Sequence, residues 1–194
     1  MILLPAIVAG LLAGLTRARH RNGYLKSPDL RLVWLVSIAF LPQWLAFNLA
    51  VTRRLTTDKT AAAALVSSQA LLLVFAWFNR NQPGFWALAI GLGLNLSVIS
   101  LNRGLMPVSP GVVAELLPDL PTDAWHVGDR IGWNVVLPAT NTRLWWLSDH
   151  LLLPAWFPYR KALSVGDLLI AAGAFWYMWA LGAPERVEEQ RSIE

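Results

Sequence analysis

The chain has 194 residues, 56% hydrophobic and only 14% charged, with a mean hydropathy of +0.47. Soluble domains carry roughly 25% charged residues, so the composition points away from an ordinary water-soluble domain and toward a polytopic membrane protein. The lack of cysteine excludes disulfides, thiolate catalysis and Cys-based metal sites. The net charge of +4 does not imply nucleic acid as a partner, because the basic residues cluster beside a hydrophobic run.

Five apolar runs are candidate spans: Ile2–Thr16, Leu32–Val51, Ala61–Phe78, Phe85–Leu101 and Ser164–Leu181. A hydrocarbon core of about 30 Å needs roughly 20 helical residues. The first run is short, and it has neither a basic n-region nor a small-residue cleavage site, so it reads as a span rather than a cleaved leader. The loop after it holds Arg17, Arg19, Arg21, Lys26 and Arg31 against Asp29. Its density places it in the cytoplasm, with the N-terminus outside and the C-terminus inside. In "SPDL", Ser27 is read as N-cap and Pro28 as the first helical position of the second span. "TTDKT" offers caps for the third. "NRNQPG" makes a tight turn that sets the third and fourth spans side by side and antiparallel. Gly91 and Gly93 give the fourth a thin face for close helix approach. Gln43, Asn48, Gln69 and Asn95 are the polar residues within the spans, suited to hydrogen-bonding between helices.

Residues 102–163 follow the four-span part (1–101) and differ from it. They hold seven of the twelve prolines, balanced charges, and Trp125, Trp133, Trp145, Trp146 and Trp156. Tryptophan favours the headgroup region, so this stretch reads as an outer interfacial cap with short helices. "SPGVVAELL" is one such helix, capped by Ser109, and "TRLWWLSDHLLL" a second that ends at Pro154. The last span (164–181) and a charged tail (182–194) complete the chain. The fold class expected is an all-α polytopic membrane protein with about five spans.

Of the charged residues only Asp167 falls inside a span as drawn. In "LSVGDLLIAAG", Ser164 and Asp167 form an S-x-x-D capping box, and a carboxylate in the first turn gains from the helix dipole. A second reading pairs Asp167 with Asp149, eighteen positions earlier. Two carboxylates in a poorly hydrated site separate their pKa values into one acid and one base. In "NRGLMPVSP", Asn102 and Arg103 either end the fourth span or form, with Asn95 and Ser109, the polar walls of a binding site under the cap. His126, Asp123 and Asp129 match no familiar metal spacing. No cofactor is expected.

"SVGDLLIAAG", the earlier Asp149 and "GLGLNLS" resemble motifs of the lipoprotein signal peptidases, which are membrane aspartic proteases. The resemblance implies that Asp149 and Asp167 are the catalytic pair and that Asn95 stands at the asparagine of the glycine–asparagine stretch. The Asp-Arg that follows this asparagine in those enzymes has no counterpart here. Over most of the chain, "NRGLMPVSP", "TRLWWLSD" and "LSVGDLLIAAG", in that order, resemble a family of small bacterial membrane proteins of unknown function. That resemblance implies the bacterial cytoplasmic membrane. The sequence thus carries two functional expectations. One is a non-catalytic accessory or assembly subunit of a larger membrane complex, with the lipid bilayer and membrane-protein subunits as partners, or a protein that contacts lipid or pigment. The other is a membrane-embedded aspartic hydrolase using Asp149 and Asp167. A transporter ranks behind both, because neither an inverted repeat nor a broken helix pair is evident.

Overall fold

The computed structural model describes residues 2–47, 56–121, 124–154, 157 and 160–182. Asn48, the end of the second span at Val51, Asp123, Trp156 and the tail beyond Gly182 lie outside the described residues. The main helices are α1 (Leu3–His20), α2 (Trp34–Phe47), α3 (Asp58–Phe78), α4 (Phe85–Leu101) and α6 (Val165–Ala180), with a short α5 (Pro110–Leu116) after α4. They pack in the spatial order α1, α6, α4, α3, α2.

Small residues decide which helices touch. A Cβ on Gly10 or Gly14 of α1 would strike the Phe175 and Met178 backbone of α6. Because later residues of α1 meet later residues of α6, the two helices run parallel. Gly91 faces Gly166, and Gly84 faces Gly173, so α4 and α6 cross antiparallel at backbone contact. Gly93, read as part of the same thin face, meets nothing within 4 Å. Residues 79–84 turn α3 back onto α4, as the "NRNQPG" signal predicts, with Gly84 at φ +79°.

The expected all-α class requires correction: the chain is mostly helical with two small sheets. After α4, Met106–Val108 (β1), Arg130–Ile131 (β2) and Asn134–Val136 (β3) form a sheet in the order β1-β3-β2, with β1 parallel to β3. Leu151–Leu152 (β4) pairs antiparallel with Ala162–Leu163 (β5). The helix expected in "TRLWWLSDHLLL" is therefore absent. Leu144 sits at φ +54°, Trp145–Leu147 makes a single 3-10 turn, and the chain then enters β4. Asn102 enforces this path. Its Nδ2 donates to the Arg143 carbonyl (2.8 Å) and its Oδ1 accepts from the Arg143 amide (2.9 Å).

Ser27 and Pro28 do not start a helix either, since α2 begins at Trp34. Side chains hold that segment extended instead. Asn79 brackets Arg31 through its amide and carbonyl (2.7 and 2.9 Å), Gln82 Nε2 donates to the Asp29 carbonyl, and the Lys26 amide donates to the Leu181 carbonyl. Of the caps that "TTDKT" offers, Thr57 is the one used, and the caps read at Ser109 and Ser164 are present.

Among the described residues one helix, Asp58–Phe78, is long and apolar enough to cross a membrane. Trp34–Phe47, Phe85–Leu101 and Val165–Ala180 are apolar but shorter. Among the described residues the helices thus show one full-length span and three shorter apolar helices.

Candidate active site: two aspartates on one cavity

Asp149 owes its position to β1. Its amide donates to the Pro107 carbonyl (3.1 Å), and it forms an isolated parallel bridge with Val108. Next to it, the His150 amide donates to the Leu163 carbonyl, tying the segment to β5 and so to the start of α6. Asp149 is 5% exposed. Oδ2 accepts from Asn134 Nδ2 at 2.8 Å, and Oδ1 is buried with no partner among the described residues.

Asp167 sits in the first turn of α6. Its amide donates to Ser164 Oγ (3.0 Å), and its Oδ2 accepts from the Ser164 amide (3.3 Å), which completes the capping box. Its Oδ1 accepts from Asn95 Nδ2 of α4 at 2.9 Å. Asn95 Oδ1 in turn accepts from Ser164 Oγ at 2.8 Å. The absence of a side chain at Gly166 makes room for this contact, since a Cβ there would overlap the Asn95 amide. The capping role and the contact with α4 coexist.

Both carboxylates line one cavity of about 190 Å³. Its apolar wall includes Phe40, Leu65, Leu92 and Ile170, and its polar lining adds Gln43, Gln69, Asn95 and Lys161. Burial pushes the Asp149 carboxyl from 3.8 up to about 8, and the nearby charge of Asp167 adds to the rise. The Asn134 hydrogen bond and the Lys161 charge oppose it without cancelling it. At neutral pH Asp149 therefore favours its protonated form.

The other residues singled out in the sequence separate from this pair. Asn102 is buried and saturated by Val98 and Arg143, so it shapes the route to Asp149 without lining the cavity. Arg103 is exposed at φ +63°, and Ser109 caps α5. Neither lines the cavity. The His126 amide closes a local turn onto Asp129 Oδ2 (2.7 Å). Sequence reasoning missed Asn134, Trp133 and Lys161. They reach the site through strand pairing between distant segments, and nothing in their local sequence announces it.

The profile of one family, described as "Family of unknown function (DUF5317)", matches residues 28–179. The chain belongs to this family. The DUF5317 match includes both aspartates, Asn95, Asn134 and Lys161, and leaves α1 outside. A curated relative from Thermotoga maritima, described as an uncharacterized protein, is 35% identical over 108 residues, covering 54% of this chain and 55% of the relative. The chain thus spans about half the length of the curated relative it matches. No solved structure matches the chain.

Proposed function

We propose that this DUF5317 protein is a membrane-embedded aspartic hydrolase of the bacterial cytoplasmic membrane that cleaves an amide bond at the outer leaflet. The observation that carries this reading is the shared cavity: a buried Asp149, its Oδ1 unpartnered among the described residues and its carboxyl pushed up to about 8, beside an Asp167 held by Asn95 and Ser164. Two carboxylates in opposite protonation states are the minimum apparatus for acid–base hydrolysis without a covalent intermediate.

The chemistry follows from the two environments. Asp167 takes a proton from a water, whose oxygen attacks the carbonyl carbon of the substrate. Asp149 donates its proton to the carbonyl oxygen, stabilising the tetrahedral adduct. Asp167 then returns its proton to the leaving nitrogen as the C–N bond breaks, and Asp149 recovers a proton as the carbonyl reforms. Asn134 fixes one oxygen of Asp149, so the proton is presented from the other.

The outer surface of the helix assembly supports the membrane setting. Leu12, Ile38, Trp77, Ile90 and Trp176 are exposed on α1, α2, α3, α4 and α6, and a broad apolar surface of this kind requires lipid or protein against it. The basic loop residues Lys26 and Arg31 and the α3–α4 turn meet at one end, where Arg17 stacks on Trp179 at 4.1 Å. Asp167 opens the other end of α6. With the basic end in the cytoplasm, the cavity faces the outer leaflet, and the parallel α1 and α6 agree with an odd number of crossings.

The test is reconstitution of the full chain in lipid vesicles with a library of labelled apolar peptides, cleavage being read by mass spectrometry. Cleavage by the wild type and its loss in Asp149→Asn and Asp167→Asn supports the reading. Cleavage that survives both substitutions, or none by the wild type, returns the protein to an accessory role, with its exposed tryptophans meeting lipid or a partner subunit.

A further inference from the structure

Lys161 is a cation at the cavity that the hydrolytic cycle does not use. Its backbone is fixed in the β4–β5 hairpin, where its carbonyl accepts from the Leu153 amide at 3.0 Å. Its ammonium lies 4.3 Å from the centroid of the Trp133 ring. Trp133 is braced by an edge-to-face contact with Phe47 of the core, so the indole is a fixed platform. Among the described residues the ion pairs are His126–Asp129 and Arg130–Asp58, and neither includes Lys161. Its three N–H donors make no hydrogen bond among those residues. A cation parked on an aromatic face beside the cavity is available to an anion, because the cation–π contact, about 0.5–2 kcal/mol, yields readily to a charge-assisted hydrogen bond.

A second orphan lines the same cavity. Gln69 Oε1 of α3 is buried with no donor among the described residues. A buried acceptor on the cavity wall is placed to take an N–H from a ligand that enters it. A phosphate supplies the anion but no such donor, whereas a peptide with an acidic residue supplies a carboxylate and a backbone amide together.

We infer that Lys161, on its Trp133 platform, is a specificity-determining residue that selects peptide substrates carrying a carboxylate beside the cleaved bond, with Gln69 accepting a backbone N–H of the same peptide. The inference rests on the hydrolase reading for the word substrate, but the binding preference it predicts stands apart from cleavage.

The experiment uses the full chain in phosphatidylcholine nanodiscs and two dansyl-labelled apolar peptides that differ only in a central Glu or Gln. Binding is read by fluorescence anisotropy and cleavage by mass spectrometry on the same samples. The wild type should bind the Glu peptide at least about tenfold more tightly, the scale of one charge-assisted hydrogen bond. Lys161→Met should remove the difference, Lys161→Gln should do the same, and Lys161→Arg should retain it. Equal binding of the two peptides, no binding of either, or a preference that survives Lys161→Met overturns the inference. So does loss of the preference when phosphatidylglycerol replaces part of the phosphatidylcholine, which would assign the ammonium to a lipid phosphate. A preference without cleavage sinks the hydrolase reading alone, and cleavage without a preference sinks this one alone.

Discussion

Asn95 and Asp167 are 72 positions apart, and the Asn95 Nδ2 donates to Asp167 Oδ1 at 2.9 Å across the α4–α6 crossing. The same amide accepts from Ser164 Oγ. One side chain thus sets the orientation of the carboxylate and the start of the helix that carries it. Asn95→Leu removes a donor to the carboxylate and an acceptor for a buried hydroxyl. The expected loss is about 2–4 kcal/mol, the scale for a buried polar group stripped of a charged partner, read as a lower melting temperature in detergent. Asn95→Asp should be worse still, because it sets a second carboxylate against the first.

The α4–α6 crossing depends on missing side chains. Gly166→Ala pushes a methyl group into the Asn95 amide and the Gly91 carbonyl. It should destabilise by about 1–3 kcal/mol, as overpacking does, and should reduce activity by disturbing Asn95. Gly93→Ala is the matched control. It meets open space and should be neutral or stabilise by up to about 1 kcal/mol through helix propensity.

Stability should depend on pH through Asp149. Its folded pKa, about 8, stands above the unfolded 3.8, so the folded state binds more protons between those values. The contribution is complete below the lower value and is lost as pH rises through the upper. Wild-type stability should therefore fall relative to Asp149→Asn across this window, by at most about 1.4 kcal/mol per pH unit, and flatten above it. Melting curves of the two proteins at a series of pH values check the sign. Peptide cleavage should fall on the same upper limb, because the acid is lost there.

Asn102→Ala tests the support of the segment between α4 and α6. Without its two bonds to Arg143, the segment leading to Asp149 loses its anchor. A loss of about 1–3 kcal/mol is expected, together with faster hydrogen exchange at residues 143–149. Unchanged exchange would show that the strand bridge at Val108 suffices.

The sequence made the helical elements legible where periodicity and capping residues spoke together. Thr57, Ser109 and Ser164 cap the helices they precede, and "NRNQPG" turns α3 onto α4. It was misleading where tertiary hydrogen bonds overrode local preference. Ser27-Pro28 is a fair helix start, but Asn79 and Gln82 capture the backbone around it. "TRLWWLSDHLLL" has helical composition, but Asn102 and the pairing of β4 with β5 hold it otherwise. The aspartate pair was readable as a possibility because both residues stand out in apolar surroundings. Asn134 and Lys161 were not, since only the parallel pairing of β1 with β3 and the β4–β5 hairpin carry them to the cavity.

Infrared difference titration of the protein in lipid reads the protonation of Asp149 without any substrate. A protonated carboxyl signal should persist through neutral pH and fade near pH 8. It should be missing in Asp149→Asn, and it should titrate at lower pH in Asp167→Asn, where the neighbouring charge is gone. A wild type with no protonated carboxyl at neutral pH, or one whose signal ignores Asp167, contradicts the pairing of the two aspartates.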